Sequence, residues 1–108
     1  MSKPVLQRPR AEEDIDGIVA HFRRVSPRLA VAFLDSIEAS YEMLSQKPDV
    51  GSTDHALFCP ELPYPLRYYP IEEFPEILIY YIDRPEAAAV VRVLDTQQGL
   101  EALVEDLD

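Results

Sequence analysis

Ile77-Leu78-Ile79-Tyr80-Tyr81-Ile82 is an unbroken run of β-branched, leucine and tyrosine side chains. Such residues fit a pleated surface, and a run without polar alternation predicts a strand covered on both faces. After it, Asp83-Arg84-Pro85-Glu86 carries turn chemistry, and residues 88–94, rich in valine, read as a second strand. Two strands joined by four or five residues predict a β-hairpin. Before the run, Leu66-Arg67-Tyr68-Tyr69 predicts a short strand closed at Pro70, and residues 71–75 turn the chain. Further upstream, residues 49–65 are rich in Pro, Gly, Asp and Ser and end in Cys59-Pro60-Glu61-Leu62-Pro63-Tyr64-Pro65. Prolines at 60, 63 and 65 exclude a central strand and predict a loop.

The first half of the chain changes period. Residues 5–8 predict a short extended piece ending at Pro9. Ala11-Glu12-Glu13-Asp14 puts acid at the start of a helix, where the macrodipole favours it. Ile15, Ile18, Val19, Phe22 and Val25 then form one apolar stripe. Gly17 lowers helix propensity, so a close contact is expected there. Ser26-Pro27 restarts the helix, with serine suited to the N-cap and proline to the first turn. Ala30, Phe33, Ile37, Tyr41 and Leu44 make the second stripe, and Lys47-Pro48 ends it. A turn this short forces the helices into an antiparallel pair. Residues 97–108, with Leu100, Leu103, Val104 and Leu107 on one side, predict a short C-terminal helix. The expected fold is α+β, in the order β-α-α-β-β-β: a small, twisted, mainly antiparallel sheet with the helical hairpin on one face.

At 108 residues the chain is expected to form one domain, residues 1–108, able to bury roughly two thirds of its unfolded surface. The single cysteine, Cys59, allows no internal disulfide, and this fits a reducing cytoplasm. The N-terminal ten residues lack the apolar core of a signal peptide. No stretch approaches the roughly 20 apolar residues of a membrane span. The net charge of −10 repels phosphates and anionic lipids, and Lys3 and Lys47 are the only lysines. Direct nucleic-acid binding and membrane association are therefore not expected. Arg23, Arg24 and Arg28 are read as a solvated helix end and turn.

Catalytic signatures are sparse. His21 and His55 have no second His, Cys or Asp at metal-ligand spacing, so neither a metal nor a cofactor is expected. The sequence has no G-x-S-x-G, P-loop or dinucleotide fingerprint. Nothing basic lies beside Cys59 to favour its thiolate. The carboxylates are spread over helix faces and turns.

Taken in order, Leu66-Arg67-Tyr68-Tyr69-Pro70-Ile71, Glu73-Phe74-Pro75, Ile77-Leu78-Ile79-Tyr80-Tyr81 and Val90-Val91-Arg92-Val93-Leu94 resemble a known pattern. It runs Leu-Arg-aromatic strand, Phe-Pro turn, Leu-Ile-aromatic-Tyr strand and Val-Arg-Val-Leu strand, and it is that of the ParE branch of the ParE/RelE toxin superfamily. Pro9, Ala11, Asp14-Ile15, Ile18, Pro27, Ala30, Phe33, Ile37-Glu38, Leu44, Pro48 and Gly51 agree with it, so the resemblance covers about residues 5–103. It implies the toxin of a bacterial, cytoplasmic type II toxin–antitoxin system. Such a toxin acts by binding DNA gyrase or a similar protein target. A cognate ParD-like antitoxin of the ribbon-helix-helix class neutralises it, wrapping a C-terminal segment around a sheet edge or the groove beside the helical hairpin. Homodimerisation is a further expectation.

The RelE branch is a ribosome-dependent mRNA interferase, and it cuts RNA with strand lysines, a strand arginine, and an Arg and Tyr after the last strand. Here residues 66–71 contain no lysine, residues 77–82 no arginine, and residues 95–98 no arginine, and no tyrosine follows Tyr81. No residue is therefore assigned a catalytic role, and the enzymatic reading is the least supported. Asp95 stands where the ParE pattern has histidine, and Thr96-Gln97-Gln98-Gly99 follows. The chain is also far more acidic than ParE-like toxins commonly are. Both departures leave room for a non-toxic homologue that only binds an antitoxin or pairs with itself. The residues expected to meet a partner are Arg67, Tyr69, Tyr80, Arg92 and Asp95. For Arg67 and Arg92 the competing expectation is internal pairing with acids such as Glu72 or Asp95. Tyr80 and Tyr81 are expected on opposite faces, one on the helices and one outward.

Overall fold

The computed structural model describes residues 2–96. The helix expected over residues 97–108 lies outside the described residues. The elements are β1 (Val5–Gln7), α1 (Pro9–Val25), α2 (Pro27–Gln46), a short 3-10 turn (Ala56–Phe58), β2 (Leu66–Ile71), β3 (Phe74–Asp83) and β4 (Ala88–Asp95). The order matches the expected β-α-α-β-β-β. The strands form one sheet in the order β1-β4-β3-β2. β4 runs antiparallel to β3, β3 antiparallel to β2, and the short β1 lies parallel to β4.

The helical hairpin covers one face because its stripes demand cover. Ala11, Ile15 and Val19 of α1 and Ala30, Phe33, Ile37 and Leu44 of α2 are buried against Ile77, Ile79, Tyr81, Val90 and Val93. Phe22, Phe33 and Phe74 meet at ring-centroid distances of 5.3 to 5.6 Å, closing the hairpin onto the start of β3. The Phe22–Phe33 and Phe33–Phe74 contacts are edge-to-face, an arrangement that adds to the burial itself. Pro9 and Pro27 both stand at helix starts, where a missing N–H costs nothing. Ser26 holds the N-cap position of α2, but contrary to expectation its hydroxyl makes no capping bond. Its carbonyl instead accepts from the Leu29 and Ala30 amides.

The opposite face is also buried, as the run at 77–82 predicted. Leu66, Leu78, Tyr80, Ile82, Val91 and Leu94 form a second cluster, packed by Cys59, Leu62, Tyr64 and Tyr68. The proline-rich loop supplies three of those four, so it serves as a lid on the sheet rather than as a solvated connection. β2 runs past Tyr69 through Pro70 to Ile71, two residues further than expected. Pro70 is tolerated because β2 is an edge strand and needs no donor on its outer side. The β2–β3 turn reduces to Glu72-Glu73, with Glu73 at a left-handed φ of 71°. Bulges interrupt the ladders at Pro70/Ile71 and Tyr80/Tyr81.

Candidate functional site

β1 stops at Gln7, where the chain turns into α1, and its ladder reaches only Val90 of β4. Among the described residues, the rest of that β4 edge, from Val91 onward, has no neighbouring strand on this side. Asp14 of α1 fills the gap. Its Oδ2 accepts from the Val93 amide at 3.0 Å and from Arg92 Nε at 2.7 Å, while its Oδ1 accepts from Arg92 Nη2 at 3.0 Å. The guanidinium fork matches the carboxylate in the bidentate way that makes such pairs strong. Arg92 is 4% exposed, so this is a buried ion pair. The sequence carried only half of the signal for it. Asp14 lies three residues after Ala11 and four before Ile18, on the apolar side of its helix, and Arg92 interrupts a valine strand. Each is a charge set in an apolar pattern, although nothing in either pattern says that the two meet.

Beside this pair a groove of about 410 Å³ opens between α1 and the ends of β3 and β4. Its apolar part is Ile18, Phe22, Ile77 and Val93, and its polar part is Glu13, Asp14, His21, Glu76 and Asp95. Gly17 also lines it, and a Cβ there would meet nothing within 4 Å. The close contact expected at Gly17 is therefore absent, and the glycine instead keeps the groove wide. Glu13 accepts from Arg10 at 3.3 Å in an exposed pair.

The other partner candidates lie elsewhere. Arg67 Nη1 donates to the carbonyls of Asp49 and Gly51 at 3.0 and 2.9 Å, pinning the segment after α2. Those acceptors are backbone oxygens rather than the carboxylates expected. Tyr81 completes the clamp: its hydroxyl donates to the Pro48 carbonyl and accepts from the Gly51 amide, both at 2.8 Å. Burial pushes the Tyr81 phenol up to about 12, against the lowering effect of the Gly51 amide and Arg67. Tyr69 is partly buried against the helix-side core. Tyr80 does lie on the opposite face from Tyr81, but it is 2% exposed and sits under the loop rather than facing outward. His55 stacks on Tyr68 at 4.4 Å, and its Nδ1 is 2.9 Å from the Tyr80 hydroxyl. Burial raises the Tyr80 phenol to about 12, with Tyr68 adding to the shift. The Cys59 thiol is likewise pushed up, first by burial and then by Glu61. The five candidates thus divide: Arg92 and Asp95 at the groove, Arg67 and Tyr69 toward β2 on the helix side, Tyr80 under the lid.

Among the described residues, no group of His, Cys, Asp or Glu is placed to hold a metal ion, and no helix is long and apolar enough to cross a membrane. The family model for the ParE toxin of the type II toxin–antitoxin system parDE matches residues 5–100. The chain belongs to the ParE toxin family. No curated protein matches it in sequence. Its fold is similar to that of a chain described as the chromosomal ParDE TA system from P. aeruginosa, with a TM-score of 0.68 and 17% identity. That match covers 87% of this chain and 96% of the other. At such identity the likeness concerns the ParE fold alone. The helical hairpin and the sheet order are therefore the frame of a ParE-type toxin.

Proposed function

We propose that this chain is the toxin of a type II pair and acts by stoichiometric binding to DNA gyrase or a similar protein target. A cognate ribbon-helix-helix antitoxin neutralises it in the bacterial cytoplasm. The family match over residues 5–100 carries this reading. Binding rather than bond-breaking is supported by how the strand arginines are used. RNA cleavage needs cations held free for a developing phosphorane-like charge. Arg92 is joined to Asp14 and Arg67 to two backbone carbonyls, so both serve the fold. The candidate contact residues toward a partner are Asp95 and Arg92 at the groove, with Arg67, Tyr69 and Tyr80 at or beneath the β2 side of the sheet.

A second reading, a homologue that binds an antitoxin or its own copy without toxicity, is favoured by the net charge of −10 and by Asp95 at the position of the pattern's histidine. Inducible expression without a partner separates them. Growth arrest with a DNA-damage response supports gyrase poisoning, and unimpeded growth supports the non-toxic reading. Rapid loss of mRNA integrity would overturn both.

A further inference from the structure

We propose that the turn of the helical hairpin docks on an acidic segment of the chain's protein target, with Arg23, Arg24 and Arg28 meeting carboxylates and Val25, Val31 and Leu34 meeting apolar side chains beside them. That the partner is a toxin's target rests on the proposed function, while the preference for an acidic protein segment stands on the surface itself. Residues 17–34 contain no Asp or Glu, in a chain of formal charge −10, and hold three of its ten Lys and Arg residues. One end of an acidic molecule is therefore basic. All three arginines are exposed, and among the described residues none is held by an ion pair or a side-chain hydrogen bond. By contrast, Lys3, Arg10, Arg84 and Arg92 each pair with an acid, and Arg67 bonds two carbonyls. Phe74 brings the β2–β3 turn toward Phe22, at 5.3 Å between rings, yet Glu72 and Glu73 of that turn pair with none of the three. Arg23 and Arg24 suit the last turn of α1, but Arg28 stands in the first turn of α2, where the macrodipole disfavours a cation. Nothing in the fold repays that placement.

The apolar neighbours decide the class of partner. Val25, Val31 and Leu34 are 66%, 58% and 44% exposed, while Val19, Ala30, Phe33 and Ile37 of the same helices take the sheet side. Arg28, Val31 and Leu34 follow one another at three-residue spacing and so form one strip along α2. Arginine beside exposed apolar side chains is the composition of a protein interface. Duplex DNA would match the arginines but not the valines and leucine, and the charge of the whole chain opposes its approach. A second copy placed here by a two-fold axis would set arginine against arginine.

The test has two arms, both with the full chain. In the first, the parent and an Arg24→Glu/Arg28→Glu variant are titrated into a supercoiling assay with purified DNA gyrase. Both side chains are exposed and outside the bonds of the fold, so the urea midpoint should hold. The concentration for half inhibition should rise at least about tenfold in the variant. If the parent inhibits and the variant inhibits equally well, the surface proposal falls and the proposed function stands. The second arm needs no gyrase. Two synthetic amphipathic helices, leucine with glutamate or leucine with lysine, and a short duplex DNA are titrated by fluorescence anisotropy. The glutamate peptide is expected to bind in spite of the chain's charge, and to lose at least about tenfold in affinity with the variant. Its binding should weaken as salt rises. The lysine peptide should gain nothing from the arginines. No binding of the glutamate peptide, equal binding to the variant, or an arginine-dependent affinity for the DNA that matches the peptide's overturns the proposal. If the parent leaves gyrase untouched while the glutamate peptide binds through the arginines, gyrase falls as the target and the preference of the surface stands.

Discussion

Asp14→Ala should be the most damaging exchange of an apparently ordinary helix acid in this chain. The carboxylate accepts two guanidinium hydrogen bonds from Arg92 and one from the Val93 amide, at 2.7 to 3.0 Å. Their side chains are only 5% and 12% exposed for Arg92 and Asp14, so water replaces those bonds poorly. Removing one partner of a buried pair costs about 3–5 kcal/mol, chiefly because the other charge stays buried. The Val93 amide, on a stretch of β4 that β1 does not reach, loses its acceptor as well, which pushes the cost toward the upper end. For a domain of this size, about 4 °C of Tm goes with each kcal/mol, so a fall of roughly 15 °C is expected. Asp14→Asn keeps an acceptor for the amide and should lose less. Urea unfolding of Asp14→Leu, Arg92→Met and the double variant closes a cycle, and a coupling of at least about 2 kcal/mol is expected. The double variant should regain much of the loss, because a well-packed apolar pair can replace a buried ion pair. A single-variant loss below about 1 kcal/mol, or strict additivity, would refute the reasoning.

Three further outcomes follow from the same geometry. Gly51→Ala should destabilise by about 1–3 kcal/mol in urea unfolding, since a Cβ there would stand 2.5 Å from Tyr81 Oη and 2.7 Å from its Cε1. Gly17→Ala, with nothing within 4 Å of its Cβ, should instead stabilise by about 0.5–1 kcal/mol. Alkaline pH should unfold the chain between about 10 and 12. The Tyr80 and Tyr81 phenols are raised to about 12 by burial, so above 10 the unfolded chain releases protons that the folded chain retains. Their contribution is complete below 10 and is lost as pH climbs through 12. Tyrosinate absorbance followed beside circular dichroism checks this, and full ionisation of all tyrosines near 10 with the fold intact would contradict it.

Much of the fold was legible because it rests on local regularity. The helical stripes, the Ser26-Pro27 restart and the apolar run at 77–82 each specify an element within a few neighbouring residues. The run's lack of alternation also announced two covered faces. The family pattern was legible for the same reason, being a spacing of short motifs along the chain. The candidate site was not. Asp14 and Arg92 are 78 positions apart, and their pairing depends on β1 being too short to finish the ladder on β4. Tyr80 and Tyr81 were expected on opposite faces and lie there, but the cover over Tyr80 was not foreseen, because the lid is a loop whose path no periodicity encodes. Arg67 found carbonyls rather than carboxylates because the end of α2 brings Asp49 and Gly51 over the sheet corner. Sequence determines which residues share a face, since that follows from the repeat of a helix or strand. Only the packed molecule decides which faces meet, and so which charges are spent on the fold and which line an open groove.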